Sequence, residues 1–74
     1  MKKKSEERLL QLVSDYLGGK FTMQSEKPLI DEIISLVSPT LSAHDVFEVI
    51  FEGDVETPEE GVAALRAFVQ TQQD

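Results

Sequence analysis

The sequence predicts an all-α fold, a single small domain of four short helices packed as a bundle over residues 1–74. Apolar side chains recur at helical spacing in four separate segments. Each segment is bounded by glycine, proline or a capping residue, which are the usual ends of helices. Only KFTMQ, residues 20–24, alternates apolar and polar side chains as a strand does, and it has no second strand to pair with. We therefore expect a loop that crosses the bundle and buries Phe21 and Met23.

The first two helices are defined by their ends. The first is expected to begin at a cap on Ser5 and to end at the glycine pair that starts at Gly18, because glycine commonly follows the last turn of a helix. The residues before this cap, MKKK, are expected to form a frayed basic N-terminus. The second helix opens near Ser25, with Pro28 tolerated in its first turn, and Pro39 ends it.

The third and fourth helices carry complete capping signals. In SAHD the Ser42 hydroxyl can accept from the Asp45 amide while the Asp45 carboxylate accepts from the Ser42 amide, which is a capping box. A second box is formed by Thr57 and Glu60, with Pro58 at the first helical position between them. The sequence therefore places two helix starts at these residues.

The only histidine, His44, does not indicate an enzyme. Adjacent helical side chains point about 100° apart, so His44 and Asp45 cannot form a His–carboxylate relay, and no Ser or Lys stands at a spacing that would complete one. His44, Glu48 and Glu52 share one helical stripe, which would permit a metal site, although such a stripe is also typical of a solvated polar face. We assign no catalytic residue, metal or other cofactor.

Composition and charge indicate the compartment and the kind of partner. The chain has no cysteine and no apolar run long enough to span a membrane, so we expect a cytoplasmic protein that binds no membrane. Its net charge is −7, and residues 31–74 carry ten acidic residues and a single basic one, Arg66. Such a field repels phosphate backbones and attracts basic surfaces, so we expect a basic protein partner and no direct contact with nucleic acid.

The third helix carries the predicted partner surface. At 100° per residue its apolar side chains span about 200°, whereas a helix buried on one side needs a stripe only somewhat wider than about 100°. Either this helix is central and contacts three neighbours, or its Phe47–Phe51 edge stays open for a partner or for a second copy of the chain. The residues predicted to contact a partner are Phe51, Phe47, His44, Glu48, Glu52, Asp54 and Glu56.

The segment EERLLQLVSDYLGGK resembles the opening helix of acyl carrier proteins. The resemblance covers fifteen residues and implies a four-helix fold and a carrier role. In that family the serine of an Asp-Ser-Leu motif, at the start of the second helix, accepts phosphopantetheine. The motif has no match here, since Ser35 is preceded by Ile34 and Ser42 is followed by Ala43. An acyl-carrier-like role therefore stands as an alternative.

Two apolar segments, LLQLVSDYLGGK and PLIDEIISLV, are similar to the helices of small enteric connector proteins that modulate two-component signalling and biofilm formation. This similarity implies a regulatory role and is a second alternative. The residues themselves favour a non-enzymatic interaction module that binds another protein, of the small bacterial or phage-type regulator or inhibitor class. This expectation depends on the acidic second half of the chain, on the absence of residues that suggest catalysis, and on a core too small to enclose a deep ligand cavity.

Overall fold

The computed structural model describes the backbone of residues 2–73 and the side chains of residues 4–72. All regular structure in this part of the chain is helical. The elements are α1 (Lys2–Leu17), α2 (Met23–Val37), α3 (Ala43–Phe47), a π-helix (Glu48–Glu52) that continues directly from α3, and α4 (Pro58–Gln73). The predicted all-α bundle of four helices is confirmed.

α1 lies at the centre of the bundle, because it packs against both α2 and α4. α3 contacts α2 and the π-helix contacts α4, so this segment closes the remaining side of the core. Burial of each large apolar side chain in this core contributes about 1.5–3 kcal/mol relative to exposure. The buried side chains are Leu9, Leu12, Val13, Tyr16, Ile30, Ile33, Leu41, Val46, Ile50, Val62 and Leu65.

The start of α1 differs from the prediction. The helix begins at Lys2, so Ser5 lies inside it, and the predicted cap at Ser5 is wrong. Lysine is a good helix former and a single serine lowers helix propensity only slightly, so the helix continues through both. Met1 lies outside the described residues, and fraying of the basic segment stays a prediction.

The end of α1 is as predicted. Gly19 has φ +71°, a left-handed conformation that glycine adopts without steric cost. The Lys20 amide donates to the Asp15 carbonyl at 2.8 Å, and the Gly19 amide donates to the Tyr16 carbonyl at 3.1 Å. Together these bonds form a Schellman motif, which satisfies carbonyl groups at the end of the helix and turns the chain toward α2.

α2 begins earlier than predicted. Thr22 is its N-cap: the Ser25 amide donates to Thr22 Oγ1 at 3.2 Å, and the Thr22 amide donates to Ser25 Oγ at 2.8 Å. Pro28 therefore lies in the second turn, where its missing amide hydrogen leaves one helical bond unmade. The helix stops at Val37, two residues before Pro39, as the sequence predicts.

The loop prediction for residues 20–24 is half correct. Phe21 is partly buried against the Tyr16 ring. Met23 is 95% exposed, so its predicted burial is wrong. The cause is the cap at Thr22, because Met23 then becomes the first residue of α2 and points away from the core.

α4 begins with the predicted capping box. The Glu60 amide donates to Thr57 Oγ1 at 3.2 Å, and the Thr57 amide donates to Glu60 Oε1 at 3.1 Å. Pro58 is the first helical residue. The same Glu60 oxygen also accepts from the Glu56 amide at 3.1 Å. The box therefore fixes the acidic loop as well as the helix start.

Gly61 of α4 packs directly against two buried side chains of the core. A Cβ atom at this position would lie 2.7 Å from Val13 Cγ1 of α1 and 3.1 Å from Ile50 Cδ1 of the π-helix. The absence of a side chain thus allows α4 to approach both neighbours. Any larger residue would have to displace buried methyl groups.

Two exposed ion pairs join α1 to its neighbours. The Arg8 guanidinium donates to both carboxylate oxygens of Glu32 in α2, at 2.7 and 2.9 Å. Arg66 of α4 pairs with Glu6. Hydrogen bonds from the two guanidinium groups lower the pKa of the Glu6 and Glu32 carboxyl groups. Because all four side chains are solvated, these pairs add little to stability compared with the core.

Candidate functional site

The predicted partner surface begins at the cap of α3. The Asp45 amide donates to Ser42 Oγ at 3.1 Å, and the Ser42 amide donates to Asp45 Oδ2 at 3.0 Å. This is the predicted capping box, so Asp45 is confirmed as a helix-capping residue. The box fixes the direction in which α3 leaves the loop and, with it, the direction in which Phe47 points.

The π-helix then widens the turn between α3 and the acidic loop. A π-helix closes its hydrogen bonds five residues apart instead of four, and single turns of this kind are frequent at functional sites. Ile50 is buried in the core, whereas Phe51, the next residue, lies against α1 and is 41% exposed. The sequence prediction used 100° per residue throughout and therefore could not give these directions.

Phe47 and Phe51 form what we call the aromatic edge. They are 42% and 41% exposed, and their ring centroids are 5.4 Å apart. On the neighbouring face of the same segment, Val46 and Ile50 are buried. The segment therefore has features of both predicted alternatives. Val46 and Ile50 belong to the core, whereas Phe47 and Phe51 remain partly exposed to solvent.

The aromatic edge packs against the ring of Tyr16 in α1. Tyr16 is fully buried, and its ring meets Phe51 edge-on and Phe21 at a tilt, with centroid distances of 4.9 and 5.2 Å. Aromatic pairs at such distances contribute about 0.5–1.5 kcal/mol beyond their buried area. The link between residues 16 and 51 is tertiary, and no local pattern in the sequence indicates it.

Among the side chains of residues 4–72, the Tyr16 hydroxyl is the one buried nitrogen or oxygen atom without a hydrogen-bond partner. Burial, and secondarily the negative charge of Glu26, raise the pKa of this phenol. The neutral form is thus favoured in the folded state. The hydroxyl is held in the protein interior by the packing of its ring.

The charged members of the predicted surface lie in two places. His44 pairs with Glu48 one turn along the helix, next to the aromatic edge. Glu52, Asp54 and Glu56 are exposed at and after the end of the π-helix. Of these acids, Asp54 lines a separate apolar groove against α4. The structure therefore brings the histidine pair and the two phenylalanines together, and places Asp54 beside a different surface.

The structure also locates the residues considered for a metal site, for a carrier serine and for a membrane-spanning helix. Among the side chains described, no three His, Asp or Glu residues are close enough to hold a metal ion. Ser35 is exposed within α2, and the Ser42 hydroxyl is occupied by the cap of α3. Over residues 2–73 no helix is both long and apolar enough to cross a bilayer.

No family model, curated protein or solved structure gives a significant match to this chain.

Proposed function

We propose that this protein acts as a non-enzymatic interaction module that binds another protein through the aromatic edge, as a small regulator or inhibitor would. The observation that carries the proposal is the half-exposed pair of Phe47 and Phe51 on a chain of only 74 residues. Exposed apolar patches on small proteins commonly mark contact sites, and phenylalanine is enriched in interfaces.

The packing beneath the aromatic edge favours binding. Phe51 is held against the buried Tyr16 ring, and Phe47 packs against Phe51. Both rings are therefore restricted before a partner arrives, so little side-chain entropy is lost on association. A partner that covers both rings would remove their remaining apolar area from water.

The surrounding charge favours a basic partner. Glu48, Glu52 and Glu56 are exposed, and the chain carries a net charge of −7. Two copies of the chain would repel each other, whereas a basic surface would be attracted over a distance of about 10 Å at moderate ionic strength. A second copy is thus the weaker of the two partner possibilities, and sedimentation of the wild-type protein at high concentration distinguishes them.

The test uses the tagged protein to capture its partner from the native host, with Phe47→Ser as the variant. Phe47 is chosen because it packs against Phe51, whereas Phe51 packs directly against the buried Tyr16 ring. Its replacement should therefore leave the helical circular dichroism unchanged. Met23→Ser is the matched control, since Met23 is 95% exposed and lies outside the aromatic edge. We expect the partner to be lost with Phe47→Ser and retained with Met23→Ser. Retention by both variants would contradict the proposal.

Once a partner is identified, the salt dependence of its binding tests the role of charge. Raising the salt concentration from about 50 mM to about 500 mM should slow association strongly and change dissociation much less. An association rate that ignores salt would remove the electrostatic part of the proposal and leave the aromatic part intact.

A further inference from the structure

A second apolar surface lies between the π-helix and α4. It is a groove of about 430 Å³. Its walls are formed by Val49 and Val55 on one side and by Ala64 and Phe68 on the other, with Asp54 and Glu60 at its margin. Neither phenylalanine of the aromatic edge lines it. The groove is therefore a candidate site that is separate from the surface used in the proposed function.

The residues that line the groove extend along α4 far enough for an elongated occupant. They run from Glu60 to Thr71, twelve residues whose ends lie about 16 Å apart along the helix axis. That length accommodates about three turns of another helix. Ala64 and Ala67 have short side chains on this face, so an incoming backbone can approach closely. Valine and phenylalanine side chains supply the apolar contact.

The charge at the groove specifies the chemistry of the occupant. Asp54 and Glu60 line it, and Glu59 is exposed one residue before Glu60. Arg66 is the only Lys or Arg in residues 31–74, and it is paired with Glu6 on α1. The acids at the groove therefore have no basic side chain of this half of the chain to neutralise them. They repel a carboxylate ligand and a second acidic copy of this chain, and they attract lysine and arginine.

We propose that this groove binds an amphipathic helix of another protein, with an apolar stripe in the groove and Lys or Arg side chains along the acidic margin. Recognition of this kind places apolar residues at i, i+3, i+4 and i+7 into a hydrophobic groove. The aromatic edge is not involved, so the proposal gives the protein two separate binding surfaces, one at Phe47 and Phe51 and one at the groove.

The first experiment measures binding of a synthetic helical peptide. One peptide of about four turns carries leucine at i, i+3, i+4 and i+7 and lysine on its other face. A second peptide has the same composition with the leucines distributed around the helix. We expect the first to bind about tenfold more tightly and to shift the amide resonances of Val49, Ala64 and Phe68. Equal affinity of the two peptides would overturn the proposal, because charge alone would then explain binding.

A pair of variants with equal charge sharpens the test. Ala67 lines the groove and is exposed, whereas Ala63 is exposed on α4 outside the groove. Ala67→Glu and Ala63→Glu add the same charge to the same helix. Ala67→Glu should weaken the leucine-aligned peptide about tenfold by obstructing the groove, and Ala63→Glu should leave its affinity unchanged or slightly higher. Tighter binding by both variants would overturn the proposal.

Further variants distinguish binding in the groove from binding at the aromatic edge and from self-association. Ala67→Gln obstructs the groove without adding charge and should also weaken the peptide, which covers the case that Ala67→Glu fails to fold. Phe47→Ser should leave peptide binding unchanged, since the aromatic edge does not line the groove. A loss of peptide binding in Phe47→Ser would place the peptide on the aromatic edge and overturn the assignment to the groove. Sedimentation showing a wild-type dimer that Ala67→Glu dissociates would replace the basic helix by a second copy.

Discussion

The Phe51 ring stands edge-on to the buried Tyr16 ring, with a centroid distance of 4.9 Å and an interplanar angle of 73°. This contact connects the centre of the core to the exposed aromatic edge. It also holds the Tyr16 ring in a position where its hydroxyl has no hydrogen-bond partner within residues 4–72. At this residue, burial of the ring stabilises the fold, whereas burial of the unpaired hydroxyl destabilises it.

Tyr16→Phe should raise the free energy of unfolding by about 1 kcal/mol. An unpaired buried hydroxyl loses its water contacts on folding, at a cost of about 1–3 kcal/mol, and phenylalanine removes that group while keeping the ring. Urea denaturation of the two proteins at neutral pH measures the difference. A less stable variant would show that the hydroxyl makes a favourable interaction in the native state.

The difference in unfolding free energy between Tyr16→Phe and the wild type should be largest at high pH. Burial raises the pKa of Tyr16 above its ordinary value of 10.0, so the folded state keeps the phenol proton longer than the unfolded chain does. The unfolded state then binds fewer protons, and stability falls as the pH rises through and above about 10. Tyr16→Phe has no phenol to ionise and does not lose this stability. Its unfolding free energy relative to the wild type should therefore increase between about pH 9 and pH 11. A constant difference in urea midpoint across this range would contradict the pKa shift.

Gly61→Ala should destabilise the protein by up to about 2 kcal/mol. Alanine gains about 1 kcal/mol of helix propensity over glycine, but overpacking a core typically costs about 1–3 kcal/mol. The new Cβ would lie 2.7 Å from Val13, which is fully buried and cannot move into solvent, so overpacking should prevail. The control is Ala63→Gly, an exposed position on the same helix that reports the propensity effect alone. Increased stability of Gly61→Ala would mean that the contact with Val13 relaxes.

Thr57→Ala should lower the free energy of unfolding by about 1 kcal/mol, because the Glu60 amide loses the hydroxyl that caps α4. Thr71→Ala is the matched control. It removes a threonine from the last turn of the same helix, where the hydroxyl donates only to the Phe68 carbonyl at 2.7 Å, and it should change stability little because alanine is the better helix former. The measurement is the urea midpoint of each variant. Equal midpoints for Thr57→Ala and the wild type would contradict the role of the cap.

Arg66→Gln should reduce stability in a way that depends on acid pH. Arg66 lowers the pKa of Glu6 below 4.5 in the folded state, so the ionised form is favoured by folding. The contribution is present above the unfolded pKa and is lost as the pH falls through the lower folded pKa. The stability difference between wild type and Arg66→Gln should therefore be constant above about pH 5 and shrink as the pH falls below 4.5. A difference that persists at the lowest pH would assign the effect of Arg66 to packing of its side chain.

Features set by adjacent residues were predictable from the sequence. The caps at Ser42 and Thr57 and the stops at Gly18 and Pro39 follow from local hydrogen bonding and proline geometry. The start of α2 was missed because its box ends in Ser25, whereas the common signal has Glu or Gln at that position. Once this cap was missed, the alternation in residues 20–24 suggested burial of Met23.

Features that depend on distant parts of the chain were not predictable. The wide apolar arc of the segment that begins at Ala43 indicated a possible partner surface, and Phe47 and Phe51 are half exposed there. The ring of Tyr16 beneath them, and the groove between Val55 and Phe68, arise only when separate helices pack together. A projection at 100° per residue also assumes an unbroken α-helix, and the π-helix departs from that spacing.

The π-helix makes the surface of this protein unusually sensitive to chain length. Deleting one residue from Glu48–Glu52 would allow α3 to continue with ordinary α-helical hydrogen bonds, so the bundle could retain its helices. The residues after the deletion would rotate by about 100° relative to the core. Phe51 and Val49 could then no longer both keep their present neighbours. In this segment we expect the gain or loss of a single codon to change which side chains face solvent while the helices are retained.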